Sequence, residues 1–451
     1  MSKERDGFSS KFGIIAAAAG SAIGLGNIWK FPYITGKNGG GAFLLVYLLC
    51  ITLIGLPVLI SEMLIGRRSR KNAVESFALL SGRKGWKIPG GIALATSFLI
   101  LAFYGVVAGW TLNYVRLTLI GKFHGQNSEY ITSIFTGFIS NPVQPVVSQI
   151  LFMMLTGFVV LFGVHNGIEK ASKILMPFLL GIIIILDIRA ITLSGASEGL
   201  AFLFKPDFGQ LTKEGVLEAL GHAFFTLSLG MGIMLTYGSY IKKDISLGAT
   251  AVQVAVADTI IALLAGVAIF PAVFAFNIEP TAGPGLVFIT LPNIFNQMSG
   301  GVFFETIFFI LLAIAALTST VSLLEVTVAF VTEDFGISRK IATVCIVISV
   351  IIIGAFFSLS MSPDVAISKI SVMGMNLFDF IDYFTANWML PMGALAVAIF
   401  AGWVLKSKEL KDELTSGGLF PAKYISIFSI MIKFITPVLI IVVFINKVFG
   451  I

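Results

Sequence analysis

Gly20-Ser21-Ala22-Ile23-Gly24-Leu25-Gly26-Asn27-Ile28-Trp29-Lys30-Phe31-Pro32 sits inside an apolar stretch running from about residue 12 to 36. Three glycines within seven residues weaken any helix there, and Asn27 and Lys30 follow in the same stretch. Close packing through the small-xxx-small pair Gly20 and Gly24 accounts for such a segment as well as a binding site does. A second stretch repeats the pattern: His222-Ala223-Phe224-Phe225-Thr226-Leu227-Ser228-Leu229-Gly230-Met231-Gly232 again gathers small and hydroxyl residues in mid-span.

The rest of the chain says what solvent these segments meet. Of 451 residues, 57% are hydrophobic and only 12% charged, and mean hydropathy is +0.97. A soluble domain averages about 25% charged residues, so this chain has too few polar groups to cover itself in water. Apolar stretches of membrane-spanning length fall at about 12–36, 42–66, 89–119, 148–165, 168–193, 216–240, 249–276, 302–331, 338–359, 378–405 and 422–448. The two odd segments are therefore the first and the sixth of eleven. They open two successive five-helix blocks, and interrupted helices at corresponding places in two halves mark a transporter site. Unwound backbone at that depth is tolerated only where it lines a cavity or is buried in protein.

Loop charge predicts orientation. With the N-terminus in the cytoplasm, twenty lysines and arginines fall on the inner side, nine fall outside or near the outer helix ends, and Lys433 lies within the last span. The same loop bias accounts for the net charge of +6, so no nucleic-acid partner is implied. No cleavable signal peptide is expected at the N-terminus. Cys50 and Cys345 lie within apolar spans and imply no disulfide, and His124, His165 and His222 are scattered with no nucleophile or metal spacing around them. An enzyme is not expected. A channel would show a continuous polar pore lining or a filter motif, which is lacking.

Glu62, Asp258, Glu325 and Asp382 stand in or at the edge of apolar spans, where an ionised side chain costs at least about 2.5 kcal/mol at the bilayer centre. The hydroxyls of Thr318-Ser319-Thr320 either bond back to their own helix or, with carbonyls of a broken helix, hold a hard cation.

Taken together, Gly20–Pro32, Asn38-Gly39-Gly40-Gly41-Ala42-Phe43, Phe224–Gly230 and Leu317-Thr318-Ser319 resemble motifs of the neurotransmitter:sodium symporter family, and the resemblance spans essentially the whole chain. It implies an all-α integral membrane protein of two inverted five-helix repeats with broken helices 1 and 6, plus one further transmembrane helix. The expected layout is a single domain over 1–451: repeat one about 12–193, repeat two about 216–405, and the extra helix about 422–448.

The resemblance further implies sodium-coupled import of an amino acid by alternating access in the cell inner membrane, with two sodium ions as co-substrates. One sodium site would use Gly20, Ile23, Ala315, Thr318 and Ser319. The other would use Ala22, Asn27, Thr226 and Asp258, with the substrate carboxylate completing it. Backbone N–H groups of Leu25 and Gly26 would meet that carboxylate with favourable dipole sign, Tyr104 would add a hydroxyl, carbonyls near Ala22, Phe225 and Thr226 would accept the ammonium, and Ser228 would be a further substrate-binding residue. Ile100, Val107, Phe225, Met231, Ser319 and Leu323 would line an apolar side-chain pocket suited to a hydrophobic or aromatic amino acid. Another small zwitterion, such as an osmolyte, and proton coupling are the alternatives.

The outer gate implied is Phe225 with Lys30 and Asp382; the inner gate is Arg5 with Glu333 (Asp334 adjacent), near Phe8 and Tyr240. Lys30 replaces the family's usual arginine and cannot form its bidentate fork. Asp258 stands where many relatives have asparagine. A fixed carboxylate there would supply the negative charge that animal members take from chloride, so chloride-independent transport is expected. Gly167 and Pro177 frame either a break at the cytoplasmic end of the fifth span or an ordinary kinked helix there.

Overall fold

A computed structural model describes residues 7–276, 285–421 and 423–449. Arg5 lies outside the described residues. Helices dominate, and the two isolated bridges, Gly40 with Pro206 and Val372 with Met375, build no sheet among the described residues.

Chain order fixes the labels. The first span is split into α1 (Lys11–Ala22) and α2 (Gly26–Lys37), bent by 51° at the break. Then come α3 (Gly41–Ser69), α4 (Lys84–Leu119), α5 (Gln144–Leu161) and α6 (Val164–Ile191). The sixth crossing is also in two pieces, α7 (Lys213–Thr226) and α8 (Ile233–Gly238). Next are α9 (Leu247–Phe276), α10 (Gly301–Phe335), α11 (Arg339–Leu359), α12 (Leu377–Val404) and α13 (Ile425–Asn446). Among the described residues, ten of the eleven apolar stretches become helices long and apolar enough to cross a membrane, α1 and α2 counted as one, and the stretch at 216–240 folds as the interrupted pair α7 and α8; the ends are displaced by a few residues. Two interrupted helices, α1–α2 and α7–α8, stand at the heads of the two five-helix blocks.

Burial separates scaffold from periphery. The most apolar window of α10 is 83% buried, whereas that of α13 is 28% buried and turns its apolar face outward. Large side chains such as Phe158, Phe178, Ile188, Ile348 and Phe356 are exposed on the outer faces of α5, α6 and α11. Lipid is the only medium in which such a surface is stable.

Local chemistry explains where helices begin and stop. The Ser10 hydroxyl accepts the Gly13 N–H at 3.0 Å and caps α1. At its other end, Ile23 turns to extended backbone and the ladder is interrupted. Two donors freed there find side chains: Gly24 N–H donates to Asn27 Oδ1 at 3.0 Å, and Leu25 N–H to Tyr104 Oη at 3.1 Å. The break after α7 uses left-handed backbone at Ser228 (φ 55°), Gly230 (φ 79°) and Gly232 (φ 75°). Leu229 N–H donates to the Phe224 carbonyl and Ser228 N–H to that of Phe225, which closes the helix end. Gly230 N–H donates to Glu62 Oε1 at 2.7 Å. Buried Glu62 is therefore explained as a cap for unwound backbone.

In the fifth span the continuous helix, not the break, is what forms at Pro177. α6 runs unbroken from Val164 to Ile191 with Pro177 inside it. The chain breaks earlier, at Gly163 (φ 84°), and the turn after it, Val164–Glu169, is widened.

Candidate functional site

The two broken crossings meet at their breaks. Ser228 Oγ donates to the Ser21 carbonyl at 2.9 Å, and Ser21 Oγ lies 2.7 Å from Ser322 Oγ of α10. Ser21 therefore ties α1, the sixth crossing and α10 together at one point. Sequence reading passed over Ser21 and Ser322; the only signal was a serine within the glycine-rich break and a hydroxyl one turn below Thr318-Ser319.

On one side of this junction lies an oxygen cluster built around Asp258. Its carboxylate accepts from Asn27 Nδ2 at 2.7 Å, from Thr226 Oγ1 at 3.0 and 3.1 Å, and from Tyr47 Oη at 3.4 Å. Asn27 Nδ2 also reaches the Asp258 carbonyl at 3.1 Å. All four residues are fully or almost fully buried. Every donor is neutral, so the carboxylate has no cationic partner among the described residues, and an isolated buried charge is strongly unfavourable. A small cation seated among these oxygens would compensate it. Tyr47 was not anticipated: an aromatic in an apolar span carries no sequence mark that its hydroxyl meets an acid.

On the other side, α10 presents Thr318 and Ser319 to α1. Ser319 Oγ lies 3.4 Å from the Ser21 carbonyl, and Thr318 Oγ1 bonds back to the Ala315 carbonyl at 3.1 Å. The Gly20 α-carbon faces Thr318: a side-chain carbon added at Gly20 would lie 3.4 Å from Thr318 Cβ. Gly20, Ala315, Thr318 and Ser319 are thus brought to one place, and Ile23 lies at the adjacent break.

Between the two clusters a cavity of about 30 Å³ is lined by Ala22, Gly24, Gly26, Ile100, Tyr104, Phe225, Thr226, Ser228, Met231, Ser319 and Leu323, with Ser21 and Ile233. Apolar side chains form one end; hydroxyls and bare backbone form the other. A Cβ at Gly24 would lie 2.6 Å from Ser319 Oγ and 3.1 Å from Tyr104 Oη, so those hydroxyls would have to move from their places at the cavity. Two expectations shift. Val107 lines a separate, outer cavity, and the Leu25 N–H, expected to be free for a carboxylate, is taken by Tyr104.

That outer cavity, about 300 Å³, lies beyond Phe225 and is lined by Lys30, His222, Phe225, Phe378, Asp379 and Asp382 among others. Lys30 Nζ stands 4.5 Å from the centroid of the Phe225 ring, a cation–π contact. Phe225 lines both cavities and separates them, and Lys30 weighs on it from the outer side.

At the opposite end, Phe8 is buried edge-on against Tyr237 and Tyr240, at centroid distances of 5.6 and 6.2 Å. Tyr240 Oη donates to Glu325 Oε1 at 2.7 Å, and Arg339 grips the same carboxylate through both terminal nitrogens. Glu333 accepts from the backbone N–H of Asn72 at 2.9 Å, and Asp334 from the Asn72 side chain at 2.7 Å. A further latch was not foreseen. Glu169 of α6 receives Ser9 N–H and Ser9 Oγ, each at 2.8 Å, and Ser10 Oγ at 2.9 Å, while Lys173 lies 2.6 Å away. It fastens the start of α1 to α6.

Comparisons with known proteins agree with one another. The model of the family described as Sodium:neurotransmitter symporter family matches residues 5–134 and 129–451. A sodium-dependent transporter of Bacillus subtilis, YhdH, is 40% identical over 441 residues, which is 98% of this chain and 97% of its own length. The sodium-dependent serotonin transporter of Drosophila melanogaster is 26% identical over 501 residues, 99% of this chain and 77% of its own. Among solved structures, the crystal structure of MhsT in complex with L-phenylalanine matches with a TM-score of 0.90 at 45% identity, covering 98% of this chain and 100% of that one.

Proposed function

The chain belongs to the sodium:neurotransmitter symporter family, and on that premise we propose that it imports a hydrophobic or aromatic L-amino acid together with sodium ions, without needing chloride. It is a membrane transporter and not an enzyme. The observation that carries the finer reading is the Asp258 cluster: a buried carboxylate with neutral donors only, beside two helix breaks that meet.

Sodium would take the place of donor hydrogens there. With the ion in place, Asp258, Thr226 Oγ1, Asn27 Oδ1 and the Ala22 carbonyl would turn oxygens to it, and the substrate carboxylate would complete the shell. A shared carboxylate makes each ligand raise the other's affinity, reciprocally. The second ion would lie between Gly20 and Ile23 of the first crossing and Ala315, Thr318 and Ser319 of α10. The substrate ammonium would meet carbonyls near Ala22, Phe225 and Thr226, with Ser228 beside them. Its side chain would enter between Ile100, Met231 and Leu323. The cavity of about 30 Å³ must widen for an aromatic group, and the unbranched, polarisable Met231 is suited to move aside. MhsT, matched over its whole length, was crystallised with L-phenylalanine.

The outer gate is Phe225 with Lys30 and Asp382, and the inner one gathers Tyr240, Glu325, Arg339 and Glu333. The loop lysines and arginines orient the N-terminus to the cytoplasm in the cell inner membrane. The repeats run from about 12 to 193 and 216 to 405, with the extra helix at about 422–448.

Uptake of labelled phenylalanine, leucine and tryptophan into proteoliposomes under an inward sodium gradient tests this reading. Uptake should vanish when potassium replaces sodium and persist when gluconate replaces chloride. Sodium-independent uptake, or none with any member of an amino-acid panel, would sink it.

A further inference from the structure

Lys433 is a cation inside the last span, and the transport mechanism makes no use of it. It is the ninth residue of α13, eight on from Ile425, about 12 Å along the axis at 1.5 Å per residue. Among the described residues no carboxylate lies within ion-pairing distance of it. Lys37, Lys87 and Lys173, also near span ends, each reach one. Lys433 is half-buried, and no protein carboxylate accompanies it among the described residues.

Its position is built rather than incidental. Pro437, four residues on, has no N–H to give to the Lys433 carbonyl, and the backbone over Met431–Ile435 forms a widened turn. The indole N–H of Trp403, at the end of α12, takes that orphaned carbonyl at 3.1 Å. Gly402 leaves room for the stem: a Cβ there would lie 3.2 Å from both Lys433 Cα and Cγ. The Trp403 ring, 62% exposed, packs edge-on against Phe434 at 5.6 Å. Helical side chains lean toward the N-terminal end of their helix, so the lysine stem points back toward the membrane face where α12 ends. A long lysine in that setting snorkels to the headgroups, and an aromatic ring beside it marks the interface.

We propose that Lys433, positioned by Trp403, Gly402 and Pro437, holds the phosphate of an anionic phospholipid on the lipid-facing seam where the end of α12 packs against α13. The ammonium supplies the charge, the indole and Phe434 face the upper acyl chain, and the missing carboxylate is replaced by the lipid. One lysine near a headgroup surface contributes about a fivefold preference for anionic lipid.

Native mass spectrometry of the purified full-length protein tests this, with phosphatidylglycerol and phosphatidylcholine titrated separately. Wild type should retain one more phosphatidylglycerol, about fivefold more tightly, than Lys433→Gln, whereas Lys433→Arg should behave as wild type. Helical content and thermal midpoint of the variants establish folding, and the readout requires no transport activity, so it stands or falls apart from the substrate assignment. Equal phosphatidylglycerol retention by wild type and Lys433→Gln would overturn the proposal, as would an equal loss of phosphatidylcholine.

Discussion

Asp258 and Gly24 show what a single side chain decides here. Replacing Asp258 by asparagine keeps the size and the Thr226 contact but removes the only formal charge in that cluster. The sodium concentration for half-maximal uptake should rise at least about tenfold in gluconate medium, about 1.4 kcal/mol, and chloride should restore part of the loss. Unchanged sodium dependence would contradict the role given to the carboxylate. Gly24→Ala places a methyl 2.6 Å from Ser319 Oγ and 3.1 Å from Tyr104 Oη. Substrate binding, measured by scintillation proximity, should fall at least tenfold while the protein still folds. The oxygen-rich residues of the breaks were legible from the sequence because polar groups in apolar spans stand out and because their motifs are shared. Tyr47 and Ser21 were not, since only the folded chain shows what their hydroxyls and carbonyls touch.

Among the elements, the breaks depend on backbone that ordinary residues resist. Gly230 is left-handed, and a Cβ on it would run into the Leu390 carbonyl. Gly230→Ala should therefore lower the thermal midpoint markedly, since the left-handed conformation alone costs about 1–2 kcal/mol for a residue with a side chain. Gly91→Ala in α4, where a Cβ meets nothing within 4 Å, should be neutral or stabilise by up to about 1 kcal/mol. Similar thermal shifts for the two would mean that the break after α7 is not held as described. Helix positions were readable because length and hydropathy suffice for a bilayer. The end of the fifth span was not: Gly167 and Pro177 fit a break or a kinked helix equally well, and the positive φ falls instead at Gly163, a choice the local sequence does not make.

At the scale of the molecule, closure on the Phe8 side rests on α1 staying against α6. Glu169 is the clasp, receiving Ser9 and Ser10 with Lys173 alongside. Glu169→Gln weakens the charge-assisted bonds and should shift the population toward a form open on that side. A cysteine at Ile14, now 1% exposed, in a background lacking Cys50 and Cys345, should then react several-fold faster with a membrane-impermeant maleimide applied from that side. An unaltered labelling rate would show that the clasp does not govern opening. The phenol of Tyr104 rests on the Leu25 amide at the break of the first crossing, the same donor that a substrate carboxylate would use. Two oxygens therefore compete for one N–H. Loading then becomes a swap of one oxygen for a better one, and amines without a carboxylate have nothing to offer in exchange.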